Sequence, residues 1–463
     1  MITEPSSGKI ADAITFNDDV SDLKKNISGN VLIPGDEHYD ITRAVWNGMI
    51  DKKPAIIIQC RNNEDVVYAI LYARKHNLNV SVRGGGHNVA GNAVCDAGVM
   101  VDLSLMKEIK VDPAQQMVTA EAGVIWSELD EATQHFGLAT TGGTVSETGI
   151  AGLTLGGGIG WLMSMFGTAS DNLLSAEVVT AEGVVVHTDK HNSRDLFWAI
   201  RGGGGNFGVV TKFTFKLHKI GPMVTGGMLL YPMEMAKEVM KFYRKFVPAT
   251  PDELVMFAGF ICTPDGIPVT ALLTAWFGPQ EQAEKMLAPI RAFATPIADM
   301  VGPIPYTQLQ KSLDAAAPKG IRRYWKSGFF SQLSDELIDI QLHHLQTRPN
   351  PMTPVLLFYL KGEVTRINPA ETAFYNRKQR WDLDIVTQWI DKTEDEKNIA
   401  WTRNFWKAIE PFSEGVYVNH LDRDDSERMR SAYGENYNQL KKIKTIFDPQ
   451  NFFCMNNNIP PEE

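Results

Sequence analysis

Cysteine is scarce in this chain: Cys60, Cys95, Cys262 and Cys454 are the only four among 463 residues, far apart and with no CxxC pair. That spacing supports neither a zinc site nor a disulfide framework, and it fits a reducing compartment. Positive charge is also in short supply. Lys and Arg number 45 against 55 Asp and Glu, a formal net charge of −10. No basic field is available to neutralise a phosphate backbone, so nucleic acid is not expected as a partner. Long apolar runs are missing as well. The longest charge-free stretch, Thr148 to Ser170, is broken by Gly149, Gly152, Gly156, Gly157, Gly158, Gly160 and Gly167, too many for a good membrane-spanning helix. The first residues, MITEPSSGKIADAITFN, lack a basic region followed by an apolar run, so no signal peptide is read and the expected location is cytoplasmic. Asn26-Ile27-Ser28 is a glycosylation sequon by spelling only. GxxxxGK[ST] and HExxH are both absent, and the ten histidines form no metal-ligand pattern.

What is present is ordinary globular composition, 44% hydrophobic and 22% charged, in a chain long enough for a large core. Strand and helix signals alternate in the first half. Ala55 to Cys60, Asn79 to Arg83, Val99 to Leu103 and Val209 to Leu217 read as strands, and Ala176 to Thr188 as two strands around Glu182-Gly183. Asn63 is placed to cap a helix carrying Val66, Ile70 and Ala73, and Val124 to Phe136 and Asp195 to Ile200 are further helices. Composition changes near His218 to Pro222. Beyond it lie longer units: strands Gly226 to Tyr231, Val255 to Thr263 and Val269 to Trp276, and a helix Glu234 to Phe246. Asp424 to Ile446 reads as one helix before an extended Asp448 to Phe453 tail. His343-His344, neighbours on a helix, should point apart at the surface.

Glycine is concentrated in three places: Gly84-Gly85-Gly86 followed by His87-Asn88, Gly152 to Gly160, and Gly202 to Gly208. Any one of these alone reads as a tight turn. Three in one apparent domain favour loops whose N–H groups cradle a dinucleotide pyrophosphate. Met163 stands where a nicotinamide-type GxGxxG continuation from Gly158 and Gly160 would need glycine. His87, stripped of neighbouring side chains by three glycines, stands beside whatever those amides hold. Its alternatives are a backbone hydrogen bond and a catalytic or covalent role.

At this length the motifs become specific. Arg83-Gly84-Gly85-Gly86-His87-Asn88, Gly142-Gly143-Thr144 leading to Gly149 through Gly160, Asp171-Asn172-Leu173-Leu174, Asp195 through Gly204, Asn206 through Thr211, and the tail Asp448 to Phe453 with Asn456 to Pro460 together resemble the berberine-bridge-enzyme-like branch of FAD-linked oxidases. The resemblance spans about residues 40 to 460. It implies an α+β fold: an FAD-binding portion over 1–218 (its core about 50–221), a substrate-binding portion with an antiparallel sheet over 219–416, and a segment 417–463 returning to the first. The cofactor residues it implies are Arg83, Gly84, Gly85, Gly86, His87, Asn88, Gly142, Gly143, Thr144, Thr148, Gly149, Gly152, Gly156, Gly157, Gly158, Gly160, Asn172, Asn456 and Asn458. His87 matches the histidine bonded to the flavin 8α carbon. Val145 stands where many members carry a second, cysteinyl link, so a single bond is expected. Thr148 matches a position beside the reactive flavin edge, where a small side chain goes with oxygen access.

The implied activity is oxidation of a small organic substrate at a C–OH or C–N carbon, by hydride transfer to FAD, with O₂ as acceptor and H₂O₂ as product. A dehydrogenase with another acceptor, or a non-catalytic flavin protein, would keep the same motifs. Tyr417 matches a tyrosine that serves some members as base, and a phenol needs a neighbour to lower its pKa for that. Lys326, Tyr359 and Lys361 are the candidate neighbours; a packed tyrosine and a solvated lysine are the plainer readings. Thr372 to Arg377 departs from the family pattern. The substrate and the oligomeric state are not legible.

Overall fold

The computed structural model describes residues 20–462; the N-terminal leader reading therefore falls outside the described residues. The architecture is α+β, as expected. The first part contains a four-stranded sheet ordered Asn30–Leu32, Ile56–Gln59, Val99–Asp102, Val80–Arg83. Its last three strands are parallel. Both faces are covered, which is why these strands read as continuous apolar runs. The helix Asn63–Lys75 packs on it, with Val66, Ile70 and Ala73 buried. Its cap is Asn62 rather than Asn63: the Asn62 side chain accepts from the Asp65 N–H, the distance an N-cap needs. Asp65 in turn accepts from the backbone of Ser28, Gly29 and Arg61.

A second, antiparallel sheet follows, ordered Ile109–Asp112, Met117–Glu121, Val209–Lys216, Leu173–Val179, Val185–Asp189. Beyond residue 219 an antiparallel sheet is ordered Ala298–Asp299, Met223–Pro232, Pro268–Trp276, Leu254–Cys262, Val355–Tyr359, Trp381–Trp389, Arg322–Phe330, with Gly302–Pro305 also pairing Met223–Pro232. One face of this sheet, through Leu357, Leu383 and Ile385, meets helices Ala236–Phe246, Asp335–Leu345 and Asp395–Ile409. The other face looks back at the first part, where Ile159, Phe257, Phe358, Phe374 and Tyr417 share one apolar cluster.

The C-terminal helix differs from expectation. It is two pieces, Met429–Tyr433 and Tyr437–Phe447, because Gly434 takes φ +48° between them, where a Cβ would sit 2.1 Å from the Tyr375 ring. Asp424 and Asp425 lie before it, turned to Lys326. The tail is fastened by a fully buried pair, Lys444 Nζ to Asp448 Oδ2 at 2.6 Å. Asp448 also accepts from the Phe452 and Phe453 N–H groups. Asn206 accepts from Ile459 N–H and donates to Asn457 O. Two motifs distant in sequence are thus one fastening. Among the paired histidines, His343 is exposed, whereas His344 stacks on Phe405 at 4.8 Å.

Candidate functional site

A cavity of about 800 Å³ lies between the glycine loops and the inward face of the large sheet. Gly84, Gly85, Gly86, His87 and Asn88 line it from the first loop; Gly143, Thr144, Val145, Thr148, Gly149 and Gly152 line it from the second. The two loops touch backbone to backbone: a Cβ on Gly85 would lie 2.4 Å from Gly149 N. Gly152, Gly205 and Asn456 complete that wall, and a Cβ at Gly152 or Gly205 would meet nothing within 4 Å. These are places where a ligand can approach the main chain.

The remaining expected cofactor residues do not line this cavity. Arg83 turns its guanidinium to the Thr42 carbonyl. Gly160 crosses Gly142, and a Cβ there would lie 1.8 Å from the Gly142 oxygen. Gly156 is closed by Asn419, and Gly157 (φ +119°) by the Phe374 ring. Gly158 has φ +92° and is closed by Ala169. Asn172 donates to the Phe166 and Thr168 carbonyls and contacts His218 Nε2 at 2.7 Å. Asn458 does not face the cavity either, although its Oδ1, like Asn456 Oδ1, is buried without a partner. Gly156, Gly157, Gly158 and Gly160 answer to close packing, whereas Gly152 of the same run is open to the cavity.

His87 stacks on Trp46, ring centroids 4.1 Å apart, and Trp46 also carries the Arg323 guanidinium at 3.7 Å. Arg323 is itself buried and bonded only to neutral groups, among them Gln388 Oε1 at 2.8 Å. Burial, reinforced by that positive charge, pushes the imidazole down to about 3. His87 is therefore neutral, and its Nε2 is buried with no hydrogen-bond partner.

Tyr417 reaches the cavity wall, and its hydroxyl oxygen accepts from Gly158 N–H at 2.8 Å, Ile159 N–H at 3.3 Å and Asn419 Nδ2 at 2.8 Å. Burial outweighs those donors and pushes the phenol up to about 12. Strand alternation removes its expected helpers. Lys326 pairs in register with Ile385, and Tyr359 with Trp381, on the face away from the cavity. Lys326 is held by Asp424 at 2.6 Å and Asp425 at 2.8 Å; Tyr359 packs on Trp381. Lys361 is buried on the Thr250 and Pro251 carbonyls. None of the three meets Tyr417. The segment Thr372 to Arg377 is structural: Arg377 makes a buried bidentate pair with Asp171, 2.6 and 3.0 Å.

What sequence reasoning missed is on the opposite wall. Asp382, Asp384 and Gln388 alternate inward along Trp381–Trp389 and line the cavity with Trp325, Leu356 and Phe358. The ligating atoms of Asp382, Asp384 and His420 all lie within 4.8 Å of one another. His420 Nδ1 stands 2.9 Å from Asp384 Oδ1 without the alignment of a hydrogen bond, and its ring stacks on Trp325 at 4.4 Å. Burial, with the neighbouring Asp384, holds the Asp382 carboxyl well above the usual carboxylate range. The available signal was two acids at i and i+2 inside an otherwise apolar strand.

Comparison with known proteins places this geometry. Residues 54–189 match the model of an FAD binding domain, and 416–460 the berberine and berberine-like model. An FAD-linked oxidoreductase of Dictyostelium discoideum is 33% identical over 450 residues, 96% of this chain and 97% of its own length. The chain is a berberine-bridge-like FAD-linked oxidoreductase. The (R)-6-hydroxynicotine oxidase of Paenarthrobacter nicotinovorans is 38% identical over 206 residues, 44% of this chain and 45% of that one. The crystal structure of 6-hydroxy-D-nicotine oxidase from Arthrobacter nicotinovorans superposes with a TM-score of 0.86 at 27% identity, covering 94% of this chain and 98% of that one. The cavity of this oxidoreductase fits its cofactor class: open glycine backbone on one wall, and buried polar atoms without partners on two of its lining residues, His87 and Asn456. Among the described residues no helix is long and apolar enough to cross a membrane.

Proposed function

We propose that this oxidoreductase is an oxidase of small organic molecules that carries FAD on a single bond to His87. The observation that carries the reading is the neutral, partnerless Nε2 of His87 at a cavity shared by both glycine loops. A neutral imidazole is the nucleophilic form, and it needs no proton removed before it attacks. Val145 at the opposite loop has no nucleophile to offer. FAD held by these residues would supply two-electron oxidation of a substrate C–OH or C–N carbon, with O₂ as the acceptor and H₂O₂ as the product. Thr148, small and on the cavity wall, leaves room for oxygen. Residues 1–218 and 417–463 hold the cofactor, and 219–416 supply the substrate wall.

Tyr417 acts as a neutral anchor, because a phenol pushed up to about 12 is a poor base near neutral pH. Asp384, across the cavity, takes the substrate proton, and His420 beside it at 2.9 Å can pass that proton on. The test is denaturation. A yellow, fluorescent band that survives SDS electrophoresis, and is lost in His87→Ala, is the expected result; flavin released into the supernatant would overturn the linkage. Peroxide formed on re-aeration of the anaerobically reduced protein is expected of an oxidase. Slow reoxidation would make it a dehydrogenase.

A further inference from the structure

Arg323 is a cation without a counter-ion. It is 1% exposed, and burial acts on its charge with no carboxylate among the described residues to oppose it. Every acceptor it meets is neutral: Gln388 Oε1 and the carbonyls of Trp46, Pro318 and Ile321. Burial pulls the guanidinium down to about 9, so it stays charged at neutral pH. Its neighbour on the same strand, Arg322, is paired with Asp395. A buried cation that nothing neutralises costs stability, which draws attention to where its field falls.

The field falls on His87. The guanidinium lies 3.7 Å from the Trp46 ring centroid, and His87 stacks on the same indole at 4.1 Å. Residues 46–48 bracket the pair. Trp46 donates from its backbone N–H to Gly86 O at 3.0 Å and from Nε1 to Ala317 O at 2.8 Å. Asn47 accepts from Arg323 N–H and donates to Arg323 O and Val89 O. Gly48 N–H donates to Ile321 O at 2.8 Å. The loop that presents His87 and the strand that presents Arg323 are thereby fixed in one register.

Resting on the histidyl-flavin reading above, we infer that Arg323 is a positioning residue for the cofactor: a fixed positive charge, held beside His87 through Trp46, that favours each step loading negative charge onto the tethered flavin. Two steps qualify. In tethering, His87 Nε2, buried and partnerless, bonds to the 8α carbon as a C–H bond of that methyl breaks. The methyl and the imidazole each release one proton; the two electrons of the C–H bond pass into the ring system and on to O₂, which leaves with both protons as H₂O₂. Turnover delivers two electrons to the same place, as a substrate hydride. Both steps find the guanidinium already in position, with no reorganisation to make. At an effective dielectric of about 20, a unit charge about 10 Å away shifts an equilibrium about tenfold. The competing role is a plain bolt that holds Trp46 and residues 318–321, and a bolt needs the hydrogen-bonding fork of arginine rather than its charge.

Two variants separate these roles. Arg323→Met removes charge and fork together; Arg323→Lys keeps the charge and gives up the fork. The full-length, flavin-loaded proteins are compared for midpoint potential, by spectrophotometric equilibration with a reference dye. Tethering is read as growth of an SDS-resistant fluorescent band after FAD is added to chain produced under riboflavin limitation. In Arg323→Met the reduced state should be disfavoured about tenfold, a drop of about 30 mV for two electrons. Its tether should close about tenfold more slowly, and Arg323→Lys should bring both readings back to within about threefold of wild type. A potential in Arg323→Met that matches wild type, or one in Arg323→Lys as low as in Arg323→Met, would overturn the charge role. Where Arg323→Met does not fold, Arg323→Gln, neutral and still able to donate, takes its place with the same expectation. Flavin released from the wild type by SDS would defeat the histidyl bond instead, and the potentials of the bound cofactor would still decide the role of Arg323.

Discussion

Replacing Tyr417 by Phe separates two roles that a hydroxyl at this cavity can have. Its oxygen is the acceptor for the Gly158 and Ile159 amides, at 2.8 and 3.3 Å, and both amides are buried with the loop. Asn419 keeps a second partner, the Leu153 carbonyl at 3.1 Å, so two donors are orphaned rather than three. Each buried amide left unpaired costs about 1–3 kcal/mol, and the weaker geometry of Ile159 brings the sum to about 2–4 kcal/mol. Native-state hydrogen exchange at these two amides reads that loss directly, as a fall in local opening free energy. The chemical role is read in the wild type. A phenol base pushed up to about 12 would make the rate of flavin reduction climb about tenfold per unit from roughly pH 8 to 10. A carboxylate acceptor gives a rate already level there. Unchanged protection in Tyr417→Phe, together with a rate that climbs with pH, would refute the anchor role and restore tyrosine as the base.

Asp384→Asn should slow anaerobic flavin reduction by substrate about 10²–10⁴-fold while leaving flavin content unchanged; stopped-flow absorbance decides it, and a loss below about threefold would exclude Asp384 as proton acceptor. Asp130 is buried and pushed up to about 7 by burial, against the lowering pull of Gln310 and Lys311. Its folded form therefore holds a proton that the unfolded chain, with an ordinary carboxylate, releases, so stability falls as pH rises from about 4 to 7. Asp130→Asn should be more stable than wild type by up to about 4 kcal/mol at pH 8 and by little at pH 4, read as a denaturation midpoint that diverges with pH. Lys444→Met strands the fully buried Asp448 carboxylate and should cost about 3–5 kcal/mol; limited proteolysis of the C-terminal segment is the check, and an unaltered cleavage rate would contradict the fastening role of the pair.

Much of the scaffold was legible because its signals are local. Period-two apolar strands, the Glu182-Gly183 turn and the helical spacing of Val66, Ile70 and Ala73 are dictated by neighbours in sequence. The Asp424 to Ile446 helix was misread because Gly434 breaks it for a contact with Tyr375 that no local pattern announces. The glycine loops were legible as a group but not individually. Gly85 and Gly152 face the cavity or its loop partner, whereas Gly156, Gly157 and Gly160 yield to Asn419, Phe374 and the Gly142 carbonyl, contacts set by the tertiary fold. Lys326 and Tyr359 fell on the wrong side of a sheet whose register sequence spacing does not reveal; a one-residue difference reverses the face. The same alternation carries Asp382 and Asp384 inward, and only the fold brings His420 beside them.

The bond between His87 and the flavin is the claim on which the activity rests. Trypsin releases residues 84–107 as one peptide, bounded by Arg83 and Lys107. Peptide mass spectrometry of protein produced with ample riboflavin should find that peptide heavier by one FAD, with fragmentation placing the added mass on His87. The same peptide at its unmodified mass, or the flavin on another residue, would contradict the account.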